Sequence, residues 1–361
     1  MRISKITKFL PVLLIWLTAL SCDQRVVTYF PNGSNPSPNP NGDITYIYTD
    51  LFADRITTDS RNNTFPDYSA VTQKTVYQKE GTLGNHDIYI NDLTGGNEIR
   101  LTDSNINEVR PAFSPQGDYI AFYRGSSLYL MTSSGTDIRE ISHTPVDTSY
   151  PIFFTPDGQL LVVTTIDTNQ RNVSIVGSEG GGQQILTTLL GGFNHNIAPQ
   201  GNIIVFVTGS ETEQYMYIES IVEQQHIRIT DTPGIYRDPV FSLSGDLIAY
   251  SKKTSGDTYS IFITDLIGGY HTQLTDYNTI DSNPQFFPGD RWIGFTQRKG
   301  ISDIIFISIN GQYMVQFTNT QNSNESSPIF KSSLPFMIFQ SDLGGNYNIW
   351  LSNLDFLNSI Y

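Results

Sequence analysis

The chain of 361 residues carries 21 Lys and Arg against 35 Asp and Glu, a formal charge of −14. No window gathers its basic residues into a stripe, so the surface is expected to repel nucleic acid, and nucleic-acid binding is excluded as a function. The one cysteine, Cys22, rules out a disulfide within the chain and any metal site built on several thiolates.

The opening segment, "MRISKITKFLPVLLIWLTALSC", has a basic start (Arg2, Lys5, Lys8), an apolar run from Phe9 to Leu20, and small residues before Cys22. That is the layout of a secretory signal over residues 1–21, with an apolar part short for a membrane span. Its end, "ALSC", resembles a bacterial lipobox, although Ala19 stands where that motif usually has Leu. The resemblance implies lipidation of the Cys22 thiol and cleavage just before it. Without residues 1–21 the charge becomes −17, with 18 Lys and Arg left against 35 Asp and Glu. Residues 22–43 then read as a lipidated cysteine and a tether. From Pro31 to Gly42 only Pro, Asn, Ser and Gly occur, a composition that cannot bury a core.

From residue 44 to residue 361 no dozen residues keep an apolar face at helical spacing. Short runs rich in Val, Ile, Tyr, Phe and Thr, bounded by Gly, Asn, Asp or Ser, predict many short strands instead. Pro-x-aromatic anchors stand at Pro66, Pro111, Pro239, Pro284 and Pro328, with weaker copies near Ile152 and His195, so the spacing stays between 41 and 45 residues. A period of about 44 marks a repeat architecture. Each period holds an anchor strand, a nearly all-apolar strand such as "YIAFY" (119–123), an alternating strand such as "YSIFITDL" (259–266), and a fourth such as "HIRITD" (226–231). An apolar second strand is expected where neighbouring sheets cover both of its faces. Sheets packed face to face about an axis form a β-propeller.

The fold expected is therefore an all-β propeller of seven four-stranded blades, six or eight being the alternatives, over residues 44–361. "ADRITTD" (53–59) would supply the fourth strand that the last repeat lacks and so close the ring without a free edge. One copy of the third-strand pattern is left over in this count. "PAFSPQGDYIAF", "FFTPDGQLLVV" and "PVFSLSGDLIAY" resemble the repeats of TolB-type propellers across this whole region. That resemblance implies a fold used by binding proteins, by peptidase accessory domains and by a few lyases.

Glycine pairs in "LTGGNE", "SEGGGQQ" and "LIGGYH" lie between third and fourth strands, where a hairpin needs positive φ, and are expected to be turns. Asp50, Asp92, Asp265 and Asn353 end third strands and are expected to bond local backbone. There is no G-x-S-x-G elbow and no metal-binding spacing among His86, His143, His195, His226 and His271, so neither a cofactor nor a metal site is expected. The segments joining a fourth strand to the next anchor differ from one another, as binding loops on a fixed scaffold do. They nominate a partner-binding rim of Arg110, Tyr150, His195, Tyr236, Arg237, Asp238 and Asp281. The function expected is that of a non-enzymatic, monomeric, lipid-anchored propeller of the bacterial cell envelope that binds an envelope protein or a peptidoglycan-associated partner. The alternative is an oligosaccharide lyase with a metal in the central channel; in lyases resembling this fold central His residues bind the metal, and here only His143 and His195 lie near the loops entering the anchor strands.

Cys22→Ala should release the protein from the membrane fraction, because it removes the only thiol that could carry acyl chains. Fractionation with a carbonate wash checks this; a variant that stays membrane-bound contradicts the anchor.

Overall fold

The computed structural model of the protein describes residues 27–28, 45–48 and 53–360, apart from 83, 188–189, 277 and 332–334. The signal segment, Cys22, the Pro31–Gly42 tether and Asp50 lie outside the described residues, among which no helix is long and apolar enough to cross a membrane.

Each repeat folds into four antiparallel strands in chain order. In the first unit these are Asn63–Ser69, Lys74–Glu80, His86–Asp92 and Ile99–Arg100. Further units of the same order follow over 108–140, 153–185, 193–228, 236–273 and 280–316. The last comprises Glu325–Ile329, Phe336–Ser341 and Asn348–Asn353, and its fourth strand is Ala53–Arg55. Ala53 pairs with Ser352, Asp54 with Leu351 and Arg55 with Trp350, antiparallel. The start of the domain thus completes its end, and the architecture is an all-β propeller closed between its termini.

Packing explains why the second strand of each unit is apolar on both faces. In Tyr119–Arg124, Ile120 and Phe122 face the first unit, where they meet Val76, Ile88 and Ile90. Ala121 and Tyr123 face the third, meeting Val146, Leu161 and Val163. Every junction between consecutive units has such a cluster, and so does the junction between last and first, where Ile338 and Ile349 pack against Ile56, Tyr68 and Tyr77.

A second repeated feature gives the "LTD" motif its physical reason. The hydroxyl two residues past the fourth strand accepts a third-strand N–H: Ile88 donates to Thr102, Leu128 to Ser142, Val173 to Thr187, Met216 to Thr230, Ile261 to Thr275 and Ile304 to Thr318, all at 2.7–2.9 Å. Ile349 donates to Thr57 at 2.9 Å in the same way, although the two lie at opposite ends of the chain. The hairpin glycines act between units. A Cβ on Gly95 (φ 88°) would stand 2.7 Å from the Ile56 carbonyl oxygen, and one on Gly268 (φ 68°) 2.1 Å from that of Ile229.

The structure resolves one point the sequence left open and adds one it did not signal. The surplus strand is the N-terminal one: Thr45–Tyr48 lies parallel to Tyr313–Gln316, on the outer edge of the sixth unit, and Val27–Thr28 pairs beyond it. The chain also ends in a single helical turn, Leu357–Ile360, too short to leave a periodic signal in sequence. Leu357 is fully buried in the cluster between the sixth and last units, and its carbonyl accepts the Trp292 indole N–H at 3.2 Å.

Thr57→Ala leaves a buried N–H of Ile349 without its partner, so a loss of about 1–3 kcal/mol is expected. Deleting residues 44–60 should lower Tm far more, whereas deleting Pro31 to Gly42 should not change it. Thermal melts of the three proteins check this; equal Tm values for the two deletions contradict the closure.

Candidate functional site

First strands touch about the axis between the first and second units and from the fourth unit through to the last, and six of the seven first strands share an irregularity. Just before the anchor Pro or its equivalent, a non-glycine residue takes a positive φ: Phe65 49°, Arg110 53°, Asn194 51°, Asp238 52°, Asn283 52° and Ser327 57°. Pairing slips there by one residue, as from Val109↔Tyr123 to Ala112↔Ala121, which is a β-bulge. A left-handed backbone costs a non-glycine residue roughly 1–2 kcal/mol and must be held by its surroundings.

The hold comes from the preceding unit. The N–H of Arg110 donates to Gln78 Oε1 at 3.0 Å, that of Ser327 to Thr296 Oγ1 at 3.2 Å and that of Phe65 to Gln340 Oε1 at 3.2 Å. Gln78, Thr296 and Gln340 occupy one position of the second strand, each opposite the residue that precedes its own unit's bulge. Where that position is Val207 or Ser251, the previous bulge residue does the work. Asn194 Oδ1 accepts from the Asp238 N–H at 3.2 Å, and Asp238 Oδ2 from the Asn283 N–H at 3.1 Å. The third unit departs from the pattern. Its inner strand is only Phe153–Phe154, and the chain before it turns at Asp147, whose carbonyl accepts from the Tyr150 N–H at 3.3 Å.

Of the residues the sequence nominated, Arg110 and Asp238 are bulge residues, and Tyr150 stands one residue before the equivalent place in the third unit, which is Pro151. Arg237 is exposed beside Asp238. The half-buried Arg110 guanidinium lies 4.3 Å over the Phe65 ring, and burial lowers its pKa. Burial raises the pKa of Asp238.

Three nominated residues are not rim side chains. Tyr236 is 1% exposed, and its hydroxyl donates to the Thr232 carbonyl at 2.7 Å. His195 is 2% exposed, with Nδ1 3.1 Å from Thr164 Oγ1 and Nε2 3.1 Å from the Val162 carbonyl oxygen; burial lowers its pKa to about 4. Asp281 is fully buried and accepts from Thr275 Oγ1, Thr279 Oγ1 and Gln297 Nε2 at 2.5, 2.9 and 3.2 Å. Burial pushes its carboxyl up to about 6. Tyr236 and Asp281 stand three residues before an anchor Pro, where Glu108 and Glu325 are also buried. A polar residue at that place knots the entering loop to the wall.

Sequence reasoning missed Phe65, Asn194, Asn283 and Ser327, although they share one repeat position with Arg110. It also missed a cleft of about 590 Å³ where the third, fourth and fifth units meet, lined by Tyr150, Phe193 and Arg237 together with Arg171, Lys253 and Tyr259. The last three come from the strands and hairpins that follow the anchors, which a reading of the entering loops passes over. Asp265 and Asn353 do bond local backbone, Asp265 Oδ1 accepting from the Gly269 N–H at 2.8 Å and Asn353 Oδ1 from the Asp355 N–H at 2.8 Å, whereas Asp92 accepts from the side chains of Lys74 and Asn97.

Four-stranded units about an axis, six of the seven begun by a bulged inner strand, define a β-propeller with one variable face. The family model for the TolB beta propeller domain (PD40) matches residues 18–221, more than half of the chain, and the chain belongs to that family. The Tol-Pal system protein TolB of Francisella tularensis subsp. holarctica is 26% identical over 267 residues, 69% of this chain and 59% of that protein. The chain therefore spans less than two thirds of that relative's length. Among solved structures, TolB from Acinetobacter baumannii superposes with a TM-score of 0.52 at 19% identity, over 68% of this chain and 63% of that one. An oligogalacturonate lyase in complex with manganese superposes with a TM-score of 0.64 at 12% identity, over 81% and 89%. At these identities both likenesses show the fold alone.

His195→Gln tests the inward placement. With a folded-state pKa near 4, below the ordinary 6.5, the imidazole is neutral in the fold while the unfolded chain takes up a proton, so its contribution to stability is full above pH 6.5 and falls as pH drops toward 4. The variant should be less stable by about 1–3 kcal/mol at pH 7.5, with the gap narrowing at pH 5. Denaturant melts at both values check this; a pH-independent or absent difference contradicts it.

Proposed function

We propose that the protein is a lipid-anchored, non-enzymatic propeller of the bacterial cell envelope that binds a protein partner through the ring of bulge residues at the channel mouth. One observation carries this reading. The bulge backbone recurs in six units, yet the side chains set on it are Phe65, Arg110, Asn194, Asp238, Asn283 and Ser327, and the third unit, which lacks the bulge, has Tyr150 beside that place. A fixed scaffold with a different side chain at each equivalent place is the arrangement of a recognition surface. The TolB relatives, named for the Tol-Pal system, support an envelope setting, and the lipobox-like "ALSC" supports an anchor at Cys22.

The oligosaccharide-lyase alternative would draw on His143 and His195. His195 is enclosed with both ring nitrogens engaged, which favours binding over catalysis at this histidine.

Immobilised domain should capture its partner from an envelope extract of the source bacterium. Arg110→Ala and Tyr150→Ala should each weaken capture by about 1–2 kcal/mol, roughly five- to thirtyfold, with Tm unchanged. Capture unaffected by both substitutions would overturn the reading. Metal-dependent turnover of an acidic oligosaccharide, abolished by His143→Ala, would replace it with the lyase.

A further inference from the structure

The cleft of about 590 Å³ between the third, fourth and fifth units is a local reversal of the molecule's charge. The chain as a whole carries 35 acidic residues against 21 basic ones, yet three cations line this cleft, Arg171, Arg237 and Lys253, against one acid, Glu211. The cause of the opening is on the inner wall. The third unit's first strand is interrupted between Val146, which bridges to Thr165, and Phe153, so Tyr150 sits on a turn and the wall gapes toward the fourth unit.

The cations are held in place but only partly neutralised. The Arg237 guanidinium lies 4.4 Å over the Tyr259 ring and makes no ion pair among the described residues. Lys253 meets Asp257 at 3.4 Å, and that carboxylate is 98% exposed, so the pair neutralises little in water. Arg171 donates to Asp147 through Nε at 2.7 Å. Its terminal nitrogens make no hydrogen bond among the described residues. A stacked guanidinium with its edge donors open is pre-organised for a carboxylate.

The aromatic walls bear on the class of ligand. Tyr259 is covered by Arg237, and Phe193 by Arg171 at 6.0 Å and by Tyr150 at 5.9 Å. The cation over each ring takes one of the faces on which a sugar would stack. Three separate cations, Arg171 on the third unit and Arg237 and Lys253 on two strands of the fifth, suit a chain that carries several carboxylates in sequence.

We propose that this cleft holds an acidic, extended segment of the partner protein, its carboxylates paired with Arg237, Lys253 and Arg171. The inference rests on the binding role proposed above and names the chemistry of the segment bound. It places that segment to one side of the axis, between the third and fifth units.

The probe is fluorescein-labelled hexaglutamate, followed by anisotropy at about 20 mM and about 150 mM salt, since exposed charge pairs weaken as the Debye length shortens. Wild-type protein should bind it, more weakly at the higher salt, and should not bind hexalysine. Arg237→Gln should weaken binding about fivefold or more, and Arg237→Gln with Lys253→Gln by roughly twentyfold or more. Lys299→Gln, an exposed cation outside the cleft, should change nothing. Failure of hexaglutamate to bind up to millimolar concentration, or equal binding by the double variant, overturns the proposal. Binding of oligogalacturonate but not hexaglutamate, lost in the double variant, overturns it in favour of an acidic glycan. Partner capture from envelope extract separates this failure from that of the broader reading. Capture that falls with Arg110→Ala but survives Arg237→Gln with Lys253→Gln removes the cleft and leaves the ring.

Discussion

The pairing of Ala53–Arg55 with Asn348–Asn353 is the interaction on which the other layers depend. A unit of four short strands cannot bury both faces of its apolar second strand by itself; it needs a neighbour on each side. The first and last units are neighbours only because the start of the domain is the outer strand of its end. With that strand in place, Thr57 takes its position as acceptor for the Ile349 N–H, and Ile56 enters the cluster with Ile338 and Ile349. Lys331 adds a latch on the inner wall, where its amine pairs with Asp67 at 2.5 Å and its N–H donates to the Tyr68 hydroxyl at 3.0 Å. Asp67 in turn accepts the Phe113 N–H at 2.7 Å, so the latch runs from the last unit through the first to the second.

The same closure sustains the strained inner wall. Five of the six bulge residues, Phe65, Arg110, Asp238, Asn283 and Ser327, have their N–H received by a side chain from the preceding unit, and the Gln340–Phe65 bond carries that chain of support across the junction of last and first units. Strain held this way leaves side chains free to differ, so chemistry can vary around a wall whose geometry does not. The cleft follows from the one place where the wall lacks a bulge. At the third unit the chain turns at Asp147 instead of continuing as a strand, and the gap beside Tyr150 is filled from the rim by cations resting on aromatic rings.

The architecture was legible in the sequence because a repeat writes its packing many times over. The period, the apolar second strands and the completion of the last unit by "ADRITTD" all follow from positions that recur. The threonine of "LTD" recurs for the same reason, one hydrogen bond repeated around the ring. What stayed hidden depends on direction within a loop. Tyr236 and Asp281 look like rim residues because they sit in polar segments before an anchor, but that place turns into the wall, where a tyrosine or a carboxylate with three donors can be enclosed. His195 holds the place of an anchor proline, and its ring bridges to the third unit through Thr164 and Val162. Nothing in "GGFNHNI" distinguishes such a histidine from an exposed one. The surplus strand Thr45–Tyr48 was ambiguous because its pattern equals that of a true third strand, and only its pairing with Tyr313–Gln316 assigns it to the outside.

Closure makes one prediction that amide hydrogen exchange reads residue by residue. The seven third-strand N–H groups capped by a Thr or Ser hydroxyl are those of Ile88, Leu128, Val173, Met216, Ile261, Ile304 and Ile349. In a closed ring all seven open only with the domain, and the Ile349 amide is as protected as the other six. An Ile349 amide that exchanges much faster than the rest, as at a fraying edge, would contradict the closure.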